Sequence, residues 1–424
     1  MNTRPTTATG LAARRTALRM LDACLRTGQP LDQAASAMAK GLEPSDRALA
    51  IAIAQEVLRW LPDLDLLIDS QTRLPLAEDA KARMVLRMAL AQMLRLGTPP
   101  HAAIATALPL LDKGPRRLVH GVLGSLWRLQ PKLADAPSLT HPVADRWTAA
   151  WGADVVEAAR TALAEPPPLD LTLADPAQSA KWAEELEGIS LTPGHVRLSR
   201  GSAIEMLPGF ADGDWWVQDL AASLPARLLG LGNGRSVADL CAAPGGKTMQ
   251  LASQGWDVTA LDKSAKRMER LSANLERTGL TAKSSINDVL NWQPEAPFDA
   301  VLLDAPCSAT GTFRRHPDVL HRIGPKQVAE LVELQAAMLD QAAEIVKPGG
   351  VLVYATCSLE PEEGEQQADA FLSRHGEFAK AAIDPKLLPE GISPKDGYVR
   401  TLPVMLADKG GLDGFFIACL QRKD

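Results

Sequence analysis

The spacing of apolar residues changes twice along the chain. From about Leu11 to Leu129, Ala, Leu, Arg and Met recur three and four residues apart, as in TALRMLDACL and ALAIAIAQEVLRWL. That is the period of amphipathic helices, and prolines and glycines sit between the runs. Asp46 stands at a helix start, and Pro99-Pro100 closes one helix and precedes another. Pro131 and the Pro137–Pro142 neighbourhood end the helical part.

The stretch that follows is mixed. A helix is predicted from Val143 to Ala164, then Pro166-Pro167-Pro168, then an alternating run, LDLTL, that fits a strand. Ala177 to Glu187 reads as helix, and His195-Val-Arg-Leu as a short strand. Trp215-Trp216 reads as core packing. From Arg235 the pattern is regular, with short apolar runs near 237–241, 257–261, 283–286, 298–303 and 350–355 and helical runs between them. The longest helical run lies near Pro325 to Val346, and Gly397–Pro403 and Phe415–Leu420 suit final antiparallel strands. Strict alternation of strand and helix predicts a mainly parallel sheet with helices on both faces. Three segments are therefore expected: an all-helical domain over 1–135, an α+β linker region over 136–234 and a doubly wound α/β domain over 235–424.

The stretch Ser236–Thr248, SVADLCAAPGGKT, opens the α/β domain as strand, small-residue turn and helix. Such a turn lets a backbone approach a nucleotide closely. The dinucleotide pattern G-x-G-x-x-G is absent. A phosphate-binding loop would need its first glycine where Cys241 stands, although Gly246-Lys247-Thr248 matches its end. A nucleoside without a phosphate chain, such as S-adenosylmethionine, remains, beside a tight turn with no ligand at all.

Composition narrows the class. At 424 residues, 46% hydrophobic and 23% charged, the chain has the make-up of a globular protein of two or three domains. No apolar run is long enough to span a bilayer, and no signal pattern opens the sequence. Five cysteines without a C-x-x-C pair argue against a disulfide framework and a zinc site, so a reducing cytoplasm is expected. A monomer is the expected state. The net charge of -6 divides unevenly: residues 1–150 carry 19 Lys+Arg against 13 Asp+Glu, and the remainder is acidic. A basic helical part on an acidic body suits a module that holds a polyanion.

Ligands of an open α/β sheet bind at the carboxyl ends of its strands. The second strand ends in Asp262, suited to a ribose diol, and the third is followed by Asn287-Asp288, suited to an adenine edge. The fourth delivers Asp304-Ala-Pro-Cys307 and the fifth Cys357-Ser358. Cys241, Cys307 and Cys357 thus fall at strand ends, whereas Cys24 and Cys419 read as core. Two thiols at neighbouring strand ends, one near an aspartate, suggest nucleophilic chemistry. A thiolate adding to carbon 6 of cytosine makes carbon 5 an enamine carbon able to attack a sulfonium methyl. A group protonated on, or hydrogen-bonded to, ring nitrogen 3 favours that addition, a task suited to Asp304, and the base must leave its stack to react. Either of Cys307 and Cys357 could attack from a strand end.

DLCAAPGGKT, DAPCSATGTFRRHPD and YATCSLEPEE closely resemble the RNA cytosine-C5 methyltransferases of the Sun/Nop2 group, whose catalytic domain is a Rossmann-like S-adenosylmethionine fold. The amino-terminal DRALA, LRW, ALAQMLRLG, PPHAAI and LVHGVL resemble the NusB-like helical domain that marks the bacterial 16S rRNA branch. The resemblance implies Cys357 as nucleophile, Cys307 as the residue aiding product release and Asp304 as the cytosine activator. It implies a donor site over Cys241, Ala242, Ala243, Pro244, Gly245, Gly246, Lys247, Asp262, Asp288 and Asp304. It further implies ribosomal RNA, 16S or an assembling small subunit, as partner, without a membrane. The sequence departs from the group at Val319-Leu320-His321, where a Lys-Trp pair is usual, and at His120 and Gly124, where Asn and Arg are common. Arg314, Arg315 and His316 remain the expected phosphate contacts. A transfer-RNA methyltransferase and an RNA-binding assembly factor without catalysis are the alternatives.

Overall fold

Apolar spacing becomes helix over Leu11–Thr27, Leu31–Met38, Pro44–Arg59, Leu61–Asp69, Lys81–Leu94, Pro100–Ala107 and Lys113–Leu129 in the computed structural model, which describes residues 10–199 and 203–424. Pro44 and Pro100 occupy first-turn positions, where the missing N–H costs no helical bond. Lys113–Leu129 shows how the pattern works: Val119, Val122, Leu123 and Leu126 are buried on one face, while Arg116, Arg117, His120 and Arg128 are exposed. Met20, Leu21, Ile53, Leu58, Val85 and Leu86 lie in the common core of these helices. The single helix expected over Val143–Ala164 is two, His141–Trp151 and Ala153–Ala164. Gly152 between them takes φ 93°, which a helix cannot continue through.

The described chain divides into two compact units. The helical unit takes the chain up to Ala149, Ala159–Glu165 and, from far along the sequence, Phe313–Gly324. That last segment is held by backbone carbonyls and rings. Arg59, 1% exposed, donates to the carbonyls of Leu163 (2.9 Å) and Arg314 (2.6 Å). His321 Nε2 donates to Leu58 O at 2.6 Å, and Phe313 packs on Trp147 with ring centroids 5.5 Å apart.

The other unit holds two sheets among the described residues. In the smaller, β1 (Leu169–Leu173) pairs antiparallel with β2 (His195–Leu198) and with β3 (Trp215–Val217). Trp215 and Trp216 are both buried. The larger contains β4 (Ser236–Leu240), β5 (Asp257–Asp262), β6 (Lys283–Ile286), β7 (Phe298–Asp304), β8 (Val346–Thr356), β9 (Phe378–Lys380), β10 (Tyr398–Thr401) and β11 (Phe415–Arg422). Its order is β10-β11-β8-β7-β4-β5-β6, with β9 also pairing with β11. The five strands from β8 to β6 are parallel, and β9, β10 and β11 join antiparallel. β4 comes first in sequence and lies between β5 and β7, so the chain winds away from it in both directions. This is a Rossmann-like arrangement, whose ligand crevice opens beyond the carboxyl ends of β4 and its neighbours. Apolar clusters cover both faces of the sheet, which is why its central strands are mostly apolar, with Asp239 in β4 an exception.

Candidate active site

β4 ends at Leu240, one residue earlier than the apolar run suggests, because Cys241 turns into the left-handed region at φ 62°. The turn Cys241–Gly245 then leads into the helix Gly246–Ser253. Gly245 has φ 107°, a conformation that side chains resist, so the sharp entry to the helix depends on glycine there. Ala242 and Ala243 are buried beneath the turn.

Polar groups converge on this loop. Asp262, 3% exposed at the end of β5, accepts from Ser264 N (2.9 Å) and Ala243 N (3.3 Å). Arg267 reaches both Asp262, at 3.3 Å, and the Ala243 carbonyl. Asp288 follows β6 and accepts from Leu290 N at 3.1 Å, starting a short helical turn. Lys247 extends to the end of β7, where its Nζ donates to Asp304 Oδ2 at 2.7 Å. Burial alone would lower the pKa of this ammonium, but Asp304 outweighs it and the net shift is upward. Within β4, Asp239 accepts from Thr248 Oγ1 at 2.6 Å, and burial pushes its carboxyl up to about 7.

The three strand-end cysteines separate by environment. Cys241 sits among Asp304, Asp262 and Asp239, and burial followed by these carboxylates pushes its thiol up to about 12, which makes it a poor nucleophile. Cys307 and Cys357 follow β7 and β8, adjacent parallel strands in which Asp304 lies opposite Ala355. Their sulfurs are 3.5 Å apart. The bond to Cys357, then burial, raises the Cys307 thiol well above its ordinary value, so Cys307 keeps its proton. Cys24 and Cys419 are buried, and burial pushes each thiol up to about 12.

The expected phosphate contacts are in the segment that belongs to the helical unit. Arg314 is 2% exposed, so its side chain is not offered to solvent as a phosphate-binding cation should be. The physical reason is local: its neighbour Phe313 packs on Trp147 and its own carbonyl is bound by Arg59, which turn the backbone inward here. Arg315 and His316 are partly exposed, and His316 Nδ1 lies 3.3 Å from Asp32. Burial lowers the His316 pKa against that partner. Val319 and Leu320 are buried in the same unit, which accounts for apolar residues at these positions.

Four polar residues around the cysteines have no role assigned from the sequence. Ser308, Ser358, Gln335 and Glu363 are all buried and hydrogen-bonded to one another. Ser308 lies in DAPCSATGTFRRHPD and Ser358 and Glu363 in YATCSLEPEE, but nothing along the chain shows that they meet. Gln335 arrives from the helix Pro325–Glu344 and lies in no motif.

Residues 226–421 match the family described as 16S rRNA methyltransferase RsmB/F, and residues 11–128 match the NusB family. The chain is 35% identical over 436 residues to ribosomal RNA small subunit methyltransferase B of Cronobacter sakazakii, covering 96% of this chain and 98% of that protein. It is 34% identical to the protein of the same name from Klebsiella pneumoniae, over 96% of this chain and 97% of the relative. Among solved structures, PH0851 superposes with a TM-score of 0.72 at 24% identity, covering 96% of this chain and 99% of that one. NSun6 from Pyrococcus horikoshii, solved with SFG, gives a TM-score of 0.59 at 19% identity over 67% of this chain and 98% of that one. These two likenesses concern the fold.

Proposed function

Because the chain belongs to the 16S rRNA methyltransferase RsmB/F family, we propose that it methylates carbon 5 of a cytosine in small-subunit ribosomal RNA, using S-adenosylmethionine and a covalent cysteine adduct. The carrying observation is the Cys307–Cys357 pair, 3.5 Å apart at the ends of two adjacent strands. It would act as a monomer in the cytoplasm. Among the described residues no helix is long and apolar enough to cross a membrane.

The residues present fit the donor. Gly245 and Gly246 leave the turn without side chains, and Asp262 and Asp288 retain acceptor capacity for hydroxyl and amino groups. Asp239 Oδ1 is buried with no hydrogen-bond partner, an orphan acceptor within the loop's own strand. When bound, S-adenosylmethionine supplies an electrophilic methyl group on a sulfonium. Cys241, Ala242, Ala243, Pro244, Lys247 and Asp304 complete the proposed donor site.

In this reading Cys357 adds to carbon 6 and Asp304 engages the ring-nitrogen edge. Asp304 has one oxygen committed to Lys247, which fixes the carboxylate in place. Cys307, holding its proton, can donate its S–H to the Cys357 sulfur. The bond to Cys357 is the largest cause of the raised Cys307 pKa. That cause disappears once the Cys357 sulfur is a thioether, so Cys307 becomes easier to deprotonate at the stage where a base is needed. Once the Cys307 proton has passed to solvent, its thiolate takes the carbon-5 proton; the carbon–hydrogen electron pair forms the 5,6 double bond and expels Cys357 as a thiolate, freeing the methylated base.

The test is recovery of protein–RNA adducts from cells expressing Cys307→Ala, with Cys307→Ala combined with Cys357→Ala beside it. The single variant should retain covalent RNA, whose sequence reports the target, and the double variant should retain none. A folded Cys307→Ala protein that yields no adduct, from a wild type that forms no 5-methylcytosine, would favour an RNA-binding factor without catalysis. Adducts mapping to transfer RNA would move the substrate and leave the chemistry intact.

A further inference from the structure

Glu363 is fully buried and binds the residue after each cysteine. Its Oε1 accepts from Ser308 N and from Gln335 Nε2, each at 2.9 Å. Its Oε2 accepts from the hydroxyls of both Ser308 and Ser358. Four donors fill the in-plane acceptor capacity of an ionised carboxylate. The Glu363 backbone carbonyl accepts in addition from Thr356 Oγ1 (3.2 Å) and Tyr354 OH (2.8 Å). One residue therefore holds the neighbours on both sides of Cys357 and the residue after Cys307. Gln335, bound to the same carboxylate, completes the grip by donating to the carbonyl of Pro306, the residue before Cys307 (2.9 Å).

We infer that Glu363 is the positioning residue that sets the separation of the two sulfurs, and so couples the addition step at Cys357 to the release step at Cys307. This rests on the cysteine chemistry proposed above, but the geometric claim can be tested apart from it. A carboxylate suits the task because its two oxygens share one rigid plane, so the two serines bound to it cannot drift independently. Burial strengthens each of these bonds and makes any unpaired donor costly. Hydroxyls that bound water instead would let each loop move alone. Glu363 closes the YATCSLEPEE motif, but no spacing along the chain ties it to Ser308, 55 residues away.

The experiment compares the wild type with Glu363→Gln, which keeps shape and volume but replaces an acceptor with a donor. Two readouts are taken beside thermal melting. One is methyl-transfer kinetics on ribosomal RNA. The other is the rate at which diamide closes a Cys307–Cys357 disulfide, read by peptide mass after alkylation. In that reaction two thiols lose two electrons and two protons, and the diamide N=N bond takes them up as a hydrazine.

With the melting temperature within about 5 °C of wild type and the KM for S-adenosylmethionine within about twofold, kcat should fall about 100-fold, as a misplacement near 1 Å can cause. Disulfide closure should slow about tenfold or more, since it too depends on the held geometry. A folded Glu363→Gln whose disulfide closes at the wild-type rate overturns the inference, whatever happens to kcat. Slowed closure with kcat unchanged overturns the coupling to catalysis. If Glu363→Gln does not fold, Ser358→Ala removes a single arm, and unchanged closure in that variant overturns the inference equally. A wild type that neither methylates nor forms adducts, with closure still slowed by Glu363→Gln, removes the functional reading and leaves the sulfur clamp standing.

Discussion

Asp239 carries a cost that the rest of its strand does not. It is enclosed in β4 with Thr248 as its donor, and burial lifts its carboxyl from 3.8 to about 7. The unfolded chain releases this proton at the lower value, whereas the folded protein keeps it until the higher one. Between about pH 4 and pH 7 the folded state therefore binds more protons than the unfolded state, and stability falls as pH rises through that window. Above it the loss is complete, at roughly 4 kcal/mol for a shift of this size. Asp239→Asn keeps the shape and can still accept from Thr248, but it cannot titrate. Urea unfolding across this pH range should show the variant losing roughly 2–4 kcal/mol less than wild type; superimposable profiles would refute the assignment.

At the level of elements, the loops around the cysteines are joined backbone to backbone. Gly311 N donates to Cys357 O at 3.0 Å, and Gly414 N donates to Gly311 O at the same distance. The loops after β7 and β8 and the approach to β11 thus meet where no side chain fits: a Cβ on Gly311 would lie 1.9 Å from Gly414 O. Gly311→Ala should destabilise by about 1–3 kcal/mol, the range for overpacking, and lower the methyl-transfer rate because the Cys357 loop must shift. Gly124 is the contrast, a helical glycine with nothing near its missing Cβ. Gly124→Ala should stabilise by up to about 1 kcal/mol through helix propensity. Paired chemical denaturation of the two variants checks both signs. Similar shifts for both would mean that the strand-end contact is not tight.

For the whole molecule, the basic excess of the amino-terminal part divides by burial. Arg14, Arg59, Arg83 and Arg87 are all buried, and Arg83 and Arg87 are bound to Asp65 at 3.0 and 2.7 Å. These cations organise the helical unit. Those that can neutralise phosphates are on its exposed faces, among them Arg117 and Arg128 on Lys113–Leu129. Replacing both with Ala should weaken RNA binding and reduce the slope of log K against log salt by about 1 for each cation that contacts phosphate. Titrations at three salt concentrations measure this. An unchanged slope would assign RNA binding to another face.

Much of this protein was legible along the chain because the signals are local. Helical and strand periods, and the turn residues that end each apolar run, located the helices, the alternating strands and the Rossmann-like class. The same ends located Asp262, Asp304, Cys307 and Cys357 along one sheet edge. The break at Gly152 and the strand Phe378–Lys380 were not legible: the first depends on one backbone angle, the second on pairing with β11. Only the tertiary structure decided that Cys307 and Cys357 meet while Cys241 stands apart among carboxylates. It also decided that Arg314 is buried, that residues 313–324 pack with the helices, and that Glu363 reaches both cysteine loops. Each of these joins residues tens to hundreds of positions apart, and their energies come from burial and hydrogen bonding across the fold, which leave no periodic trace in the sequence.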